Sequence, residues 1–244
     1  MEHHFNKYFQ VLYEDNHLLI VNKEPGVLVQ GDQTKDEPLV EMCRLYIKEK
    51  FNKPGNVFMG LVHRLDRPVS GIVVLARTSK GLERMNEVFR NRKVHKIYWA
   101  VTKRKPRPLQ GKLTDWLLKD TTNNTVSVVD ADTKGAQKAE LQYQYMGTLN
   151  DHHLIEVRPI TGRPHQIRVQ LANMGCPIRG DVKYGYPRPN EDSNIHLHAR
   201  RLEFVHPVKK EPISIMAGVP RTQFWEQFLQ LDRKLTDKDI QRLL

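Results

Sequence analysis

Residues 60–77 read GLVHRLDRPVSGIVVLAR. The second half, Gly71 to Ala76, is a short unbroken apolar run, which predicts a strand buried on both faces. The first half is a basic, turn-bounded segment with one acid, Asp66, and such a strand would hold that segment rigid. Flanked by Arg64 and Arg67, Asp66 is expected to be ionised at neutral pH and to act as a nucleophile or base rather than as an acid. A surface aspartate paired with arginine gives the same local pattern.

Working outward, His17 to Val21 and Val94 to Thr102 are apolar and rich in strand formers. Ala139, Leu141, Tyr143 and Tyr145 recur with period two, as in a half-buried strand. Between Ser79 and Lys93, Leu82, Met85, Val88 and Phe89 fall on one face of a helix. A second helix is signalled after Thr161-Gly162, with Pro164 at its first position, Ile167, Gln170, Leu171 and Met174 at helical spacing, and Gly175 as a stop. That reading sets His165 and Arg168 one turn apart on a neighbouring face. Thr236-Asp237-Lys238-Asp239 resembles an acidic capping box opening a short terminal helix. Many strands with few helices and no regular β-α-β alternation predict an α+β sheet protein, one continuous unit over residues 1–244 with a helical appendage at 222–244.

The chain has 244 residues, 39% of them hydrophobic, and no apolar run long enough to span a bilayer. MEHHFNKYFQ is not a signal pattern, and Cys43 and Cys176 form neither a disulfide framework nor a metal ladder, so a cytoplasmic protein is expected. The 39 basic against 28 acidic residues leave a net charge of +11, which favours a polyanionic partner and nucleic acid first. The excess is concentrated. Lys103, Arg104, Lys105, Arg107 and Lys112 lie in a segment with no acid, whereas Thr222 to Leu244 carries four acids against four bases. A basic loop on the body is therefore the expected binding element, though such loops are often only solvated.

Three further constellations stand beside Asp66. Lys96-Ile97-Tyr98-Trp99 alternates along a strand, and Tyr98 either stacks on a base or belongs to the core. Gly162-Arg163-Pro164-His165-Gln166-Ile167-Arg168 gathers two arginines, a histidine and a glutamine at a helix start, where an anion is favoured. Ile195-His196-Leu197-His198 has metal-compatible H-x-H spacing, but no acid or thiol follows at a familiar interval, and no metal is assigned.

Taken in order, these blocks resemble the RluA-like family of RNA pseudouridine synthases. The resemblance rests on Val11 to His17 with Asn22-Lys23 and Pro25-Gly26, His63-Arg64-Leu65-Asp66-Arg67 with Ser70-Gly71, Lys96 with Tyr98, and Gly162-Arg163 with His165-Gln166-Ile167-Arg168. Gly180 to Gly185 and Leu197-His198-Ala199 extend it, so that it covers about residues 8–220. It implies a pseudouridine synthase fold, with a long mixed, mainly antiparallel sheet, flanking helices and a central cleft for RNA, and no metal or organic cofactor. It also implies that Asp66 is catalytic, that Tyr98 packs on the target base, that Arg168 pairs with the aspartate, and that Arg64 helps fill the gap left by an extruded uridine. Arg67, Lys96, Arg163, His165 and Gln166 would then join Lys103, Arg104, Lys105 and Arg107 as RNA-contacting residues.

The chain departs from the family pattern at Pro68-Val69, where Thr usually precedes Ser-Gly, and at Pro164, where Thr or Ser is usual. It is expected to start at the catalytic domain, without the small N-terminal RNA-binding module of many relatives, and recognition would then rest on its own basic surface. The expected partner is ribosomal or transfer RNA, and the expected state a monomer. Two other readings are a catalytically silent RNA-binding protein using the same cleft, and a hydrolase built from Asp66, His63 or His165, and Ser70. The second lacks a Gly-x-Ser-x-Gly elbow and leaves the charge unexplained.

Overall fold

The structure is a computed structural model that describes residues 4–232. The helix predicted at Thr236–Asp239 lies outside the described residues. In chain order the first elements are β1 (Phe9–Glu14), β2 (Leu18–Lys23), α1 (Leu39–Lys50), β3 (Gly60–Leu61), β4 (Ser70–Ala76), α2 (Ser79–Arg90) and β5 (Val94–Thr102). Then come β6 (Gln110–Asp120), β7 (Thr125–Val129), β8 (Gln137–Leu149), β9 (His152–Pro159), α3 (Gln166–Asn173), β10 (Leu197–Val205), β11 (Pro212–Met216) and α4 (Gln223–Glu226). This is the expected α+β composition, and every strand pair with a described register is antiparallel. The chain forms two compact units, one holding residues 4–95 and 199–220, the other 96–198 and 221–232.

In the first unit the strand order is β1-β2-β4-β10, with β3 on β4 and β11 on β10. All seven residues of β4 and all six of β2 are buried, as the unbroken apolar run in β4 requires. Each buried Leu, Ile or Val contributes about 1.5–3 kcal/mol relative to exposure, so β2 and β4 together are the rigid floor beneath the Asp66 segment. Gly71 takes φ +113, and a Cβ there would run into the backbone of Ala199 in β10, so the Ser-Gly step that opens β4 has no room for a side chain. α2 begins at Thr78, whose hydroxyl accepts the Gly81 N–H at 3.0 Å, and it buries Met85. α1, which sequence reading left unassigned, buries Leu39, Met42, Cys43, Tyr46 and Ile47.

In the second unit the order is β5-β9-β8-β6-β7. Tyr98 pairs with Val157 and Val157 with Tyr143, so these three side chains share one face. Ala139, two steps of the pleat from Tyr143, packs on that face with Leu117, Val126 and Val169 of α3. Tyr98 and α3 therefore lie on the same side of this sheet. α3 starts at Gln166, later than the sequence suggests. Pro164 stands outside it, and His165 is its N-cap in the left-handed region at φ 51 and ψ 15. The 222–232 stretch packs within this unit. Trp225 and Phe228 are buried, and Phe224 stacks on His196 at 4.2 Å between ring centroids.

Candidate active site

The Asp66 loop leaves β3 and returns into β4. Leu65 is buried at 7% exposure, Asp66 is half-buried, and Arg64 and Arg67 are exposed. The Asp66 carbonyl accepts the Val69 N–H at 3.0 Å, closing a turn that delivers the chain to Ser70. The Arg67 side chain is bonded to the segment between Gly26 and Asp36. Its guanidinium reaches Asp36 at 2.6 Å and the Gly26 carbonyl at 3.1 Å.

Lys23, the last residue of β2 and preceded there by Asn22, is a cation near enough to Asp66 to feel its charge. It is fully buried, and its Nζ donates to the carbonyls of Glu24 (3.0 Å), Val27 (2.8 Å) and Arg67 (3.2 Å). Three N–H bonds thus meet three acceptors, which is how a buried ammonium is satisfied. Burial pulls Lys23 down from 10.5 to about 7, and the charge of Asp66 pulls it back up. Gly26, at φ +85, adds its N–H to the same Arg67 carbonyl at 2.9 Å. The Glu24-Pro25-Gly26-Val27 turn is therefore a clamp on the peptide that follows Asp66.

In the second unit Arg168 is buried at 6% exposure. Its Nε and one terminal nitrogen donate to the two oxygens of Asp181 at 2.7 and 2.8 Å, and Asp181 is itself 1% exposed. This bidentate pair fixes the plane of the guanidinium. The Tyr184 ring lies 5.0 Å from the Arg168 guanidinium carbon. The Tyr184 hydroxyl accepts the Val126 N–H at 3.0 Å and bonds His165 Nδ1 at 2.6 Å. One tyrosine thus ties β7, the cap of α3 and Arg168 together. A Cβ at Gly162 would lie 3.8 Å from Lys96 Nζ, which brings the β5 lysine to the Gly162-Arg163 turn.

Gln166 is placed differently from the expectation that it contacts RNA. It is 4% exposed, its carbonyl accepts the Thr161 hydroxyl and the Arg163 N–H, and its amide donates to Glu140. Its polar atoms are thus used on the scaffold, tying the Thr161–Arg163 turn to β8. Arg163 Nε donates to the Lys138 carbonyl at 3.1 Å. Between β5 and β6, Lys103, Arg104, Lys105 and Arg107 are all exposed, and Lys105 Nζ sits 4.7 Å over the Tyr145 ring.

His63, Ser70 and His196 are each placed by the surrounding structure. His63 Nε2 accepts the Val74 N–H at 3.2 Å, a nitrogen lone pair already in use, and Ser70 is buried at 2% exposure. His196 lies against Phe224 and Arg179, and burial with the Arg179 charge pulls it down to about 3. A depression of about 450 Å³ lies across β6, β8 and β9, lined by Gln110, Lys112, Gln142, Gln144, Glu156 and Arg158. Those side chains alternate with the Tyr143 and Val157 row, so they face away from Tyr98. Its cations are also paired, Lys112 with Glu140 at 2.7 Å and Arg158 with Glu156 at 2.6 Å.

Sequence reasoning passed over Lys23, Asp181 and Tyr184 as working residues. A lysine directly after the apolar run Leu18–Val21 and Asn22 is a visible signal, since burial of such a group demands partners. The Asp181 and Tyr184 partnerships span 13 and 16 positions from Arg168, and no local pattern announces them.

A sequence model of the RNA pseudouridylate synthase family matches residues 17–173. Ribosomal large subunit pseudouridine synthase C of Buchnera aphidicola from Acyrthosiphon pisum is 34% identical over 89% of this chain and 69% of its own length. The Baizongia pistaciae strain's protein of the same name is 33% identical over 85% of this chain, which spans only 66% of that relative. The mitochondrial pseudouridylate synthase of Xenopus tropicalis is 31% identical over 87% of this chain and 78% of its own. Among solved structures, human RNA pseudouridylate synthase domain containing 4 superposes with a TM-score of 0.75 at 26% identity, covering 94% of both chains. With fold, motif order and these likenesses in agreement, the chain belongs to the RNA pseudouridylate synthase family, isomerases that convert uridine to pseudouridine within RNA.

Proposed function

We propose that this chain isomerises uridine in structured RNA, with Asp66 as the catalytic residue, Tyr98 as the surface on which the target uracil stacks, and Arg168 as the positive charge against which Asp66 works. The reaction breaks the bond from the base nitrogen to the ribose, turns the base while it stays trapped, and joins the ribose to carbon 5. The proton at carbon 5 is released, and the former glycosidic nitrogen takes one up. The uridine must leave its stack, at a cost of a few kcal/mol that is smallest in a loop.

The observation that carries this reading is the Asp66 loop. A half-buried carboxylate follows a buried leucine, and the next carbonyl is clamped by a buried ammonium and a glycine N–H. A carboxylate held beside RNA phosphates is a repulsive liability unless it reacts, and the cost of burying Lys23 is explained if the loop must hold one geometry. Arg64, Lys96, Arg163, His165 and the Lys103–Arg107 cations contact RNA in this reading, whereas Arg67 and Gln166 hold the scaffold.

The names of the bacterial relatives make large-subunit ribosomal RNA the first substrate to supply and transfer RNA the second. The test incubates the protein and its Asp66→Ala variant with unmodified transcripts of both kinds, labelled with tritium at uridine carbon 5. Tritium release by the native protein alone supports the reading and names the substrate pool. Tight RNA binding without release from either pool would favour a silent RNA-binding protein.

A further inference from the structure

We propose that His63 is a positioning residue for the reaction, whose imidazole stands in for a backbone carbonyl and sets the point at which the Asp66 loop leaves the sheet. The inference rests on the reading of Asp66 as catalytic. β2 pairs with β4 along Gly71–Ala76, so it occupies one edge of β4 over that whole length. β3, and β10 beside Gly71, must share the other edge. β3 pairs Gly60 with Ala76 and Leu61 with Leu75, and the ladder continues with the Val62 N–H donating to the Val74 carbonyl at 3.3 Å.

In an antiparallel ladder the return bond would run from the Val74 N–H to the Val62 carbonyl. It does not. The Val74 N–H donates to His63 Nε2 at 3.2 Å. Val74 is fully buried, so its N–H must find an acceptor inside the protein. With the imidazole in that role, the chain can turn out of the sheet after Val62 without orphaning this donor. The ring is held flat against Phe89 of α2, with centroids 5.0 Å apart and planes 20° from parallel. An acceptor at Nε2 places the ring's own proton at Nδ1, which makes the neutral imidazole the working form.

The catalytic loop thus has two anchors. His63 fixes the limb entering Asp66, three residues before it, and the clamped Arg67 carbonyl fixes the limb leaving it. Small misplacements of a reacting group cost up to about a hundredfold in rate, so loss of one anchor should appear in the chemical step.

The test compares His63→Leu, which keeps apolar packing on Phe89 but has no acceptor, with His63→Gln, whose carbonyl reaches as far as Nε2. Single-turnover tritium release at saturating RNA is expected to fall about tenfold in the Leu variant and to stay within about threefold of native in the Gln variant. RNA affinity should be unchanged within about twofold in both. Hydrogen exchange at the Val74 amide gives a readout independent of turnover, with protection lost in Leu and kept in Gln. Equal rates in native and Leu proteins, or a Gln variant as slow as Leu, would overturn the proposal, as would unchanged Val74 protection in the Leu variant. Altered protection with no turnover in the native protein would instead indict the assignment of the reaction.

Discussion

Replacing Lys23 by methionine preserves side-chain length and removes a buried charge from beneath the Asp66 loop. Burial draws the ammonium from 10.5 down to about 7, and at about 1.4 kcal/mol per pH unit that fall sets a ceiling of about 5 kcal/mol on what its charge costs the fold. That ceiling already includes the charge of Asp66, and the three carbonyl bonds to the ammonium lower the cost from it. In the Met variant the Glu24 and Val27 carbonyls lose this donor, at about 1–3 kcal/mol each, while the charge penalty disappears. The two effects nearly cancel, and stability at pH 7 should lie within about 2 kcal/mol of native. The pH dependence does not cancel. The folded value lies below the unfolded one, so between about 7 and 10.5 the unfolded chain binds more protons and native stability rises with pH, by at most about 1.4 kcal/mol per unit. The Met variant lacks that contribution. Urea unfolding of both proteins at pH 7, 8 and 9 should therefore show a native-minus-variant difference that grows with pH, while tritium release by the variant falls at least about tenfold. A difference that stays flat across this range would refute the strained lysine, and full turnover by the Met variant would refute its role as a clamp.

Asp181→Asn removes the charge that faces Arg168 in a buried pair and should destabilise the protein by about 3–5 kcal/mol, read by urea unfolding. The paired change Arg168→Met with Asp181→Leu should recover most of that stability and none of the activity. Gly71→Ala forces a Cβ into the Ala199 backbone at a positive φ and should cost more than about 3 kcal/mol in a thermal or urea melt. Tyr98→Phe should leave single-turnover rate within about threefold if stacking is its function, and Tyr98→Ala should lose about 1–3 kcal/mol of base binding. Lys103→Ala should weaken RNA binding and lower the slope of log affinity against log salt by about one, measured by filter binding.

The strands and helices that read clearly in the sequence are those whose side chains face one environment. The Gly71–Ala76 run and the period-two pattern at Ala139–Tyr145 became β4 and β8, because burial on two faces and on one face leave different periodicities. α3 misled by two residues. Its start is set by His165 in the left-handed region and by the Tyr184 bond, a tertiary arrangement that overrides the usual preference for proline at the first helical turn. α1 was legible as well, since Leu39, Met42, Cys43, Tyr46 and Ile47 recur at helical spacing along one buried face. Asp66, Tyr98 and Arg168, the proposed site residues, stand in ordered motifs of the sequence. Of the residues that support them, Lys23 left a local signal, whereas Asp181 and Tyr184 meet Arg168 from 13 and 16 positions away and left none.

The cost of those supports bears on what the fold is for. Apolar residues of similar volume would stabilise the interior at least as well as a buried lysine or a buried arginine–aspartate pair. The all-apolar central residues of β4 illustrate that alternative within the same protein. Yet the buried ammonium is placed on the peptide after Asp66, and the buried ion pair on the helix that carries His165 and Arg168. Each device fixes a direction, which a hydrophobic contact does not, since donor and acceptor geometry is specific and apolar packing is adaptable. Stability alone does not account for this placement, whereas a reaction in which the ribose and the detached base must be held in register does.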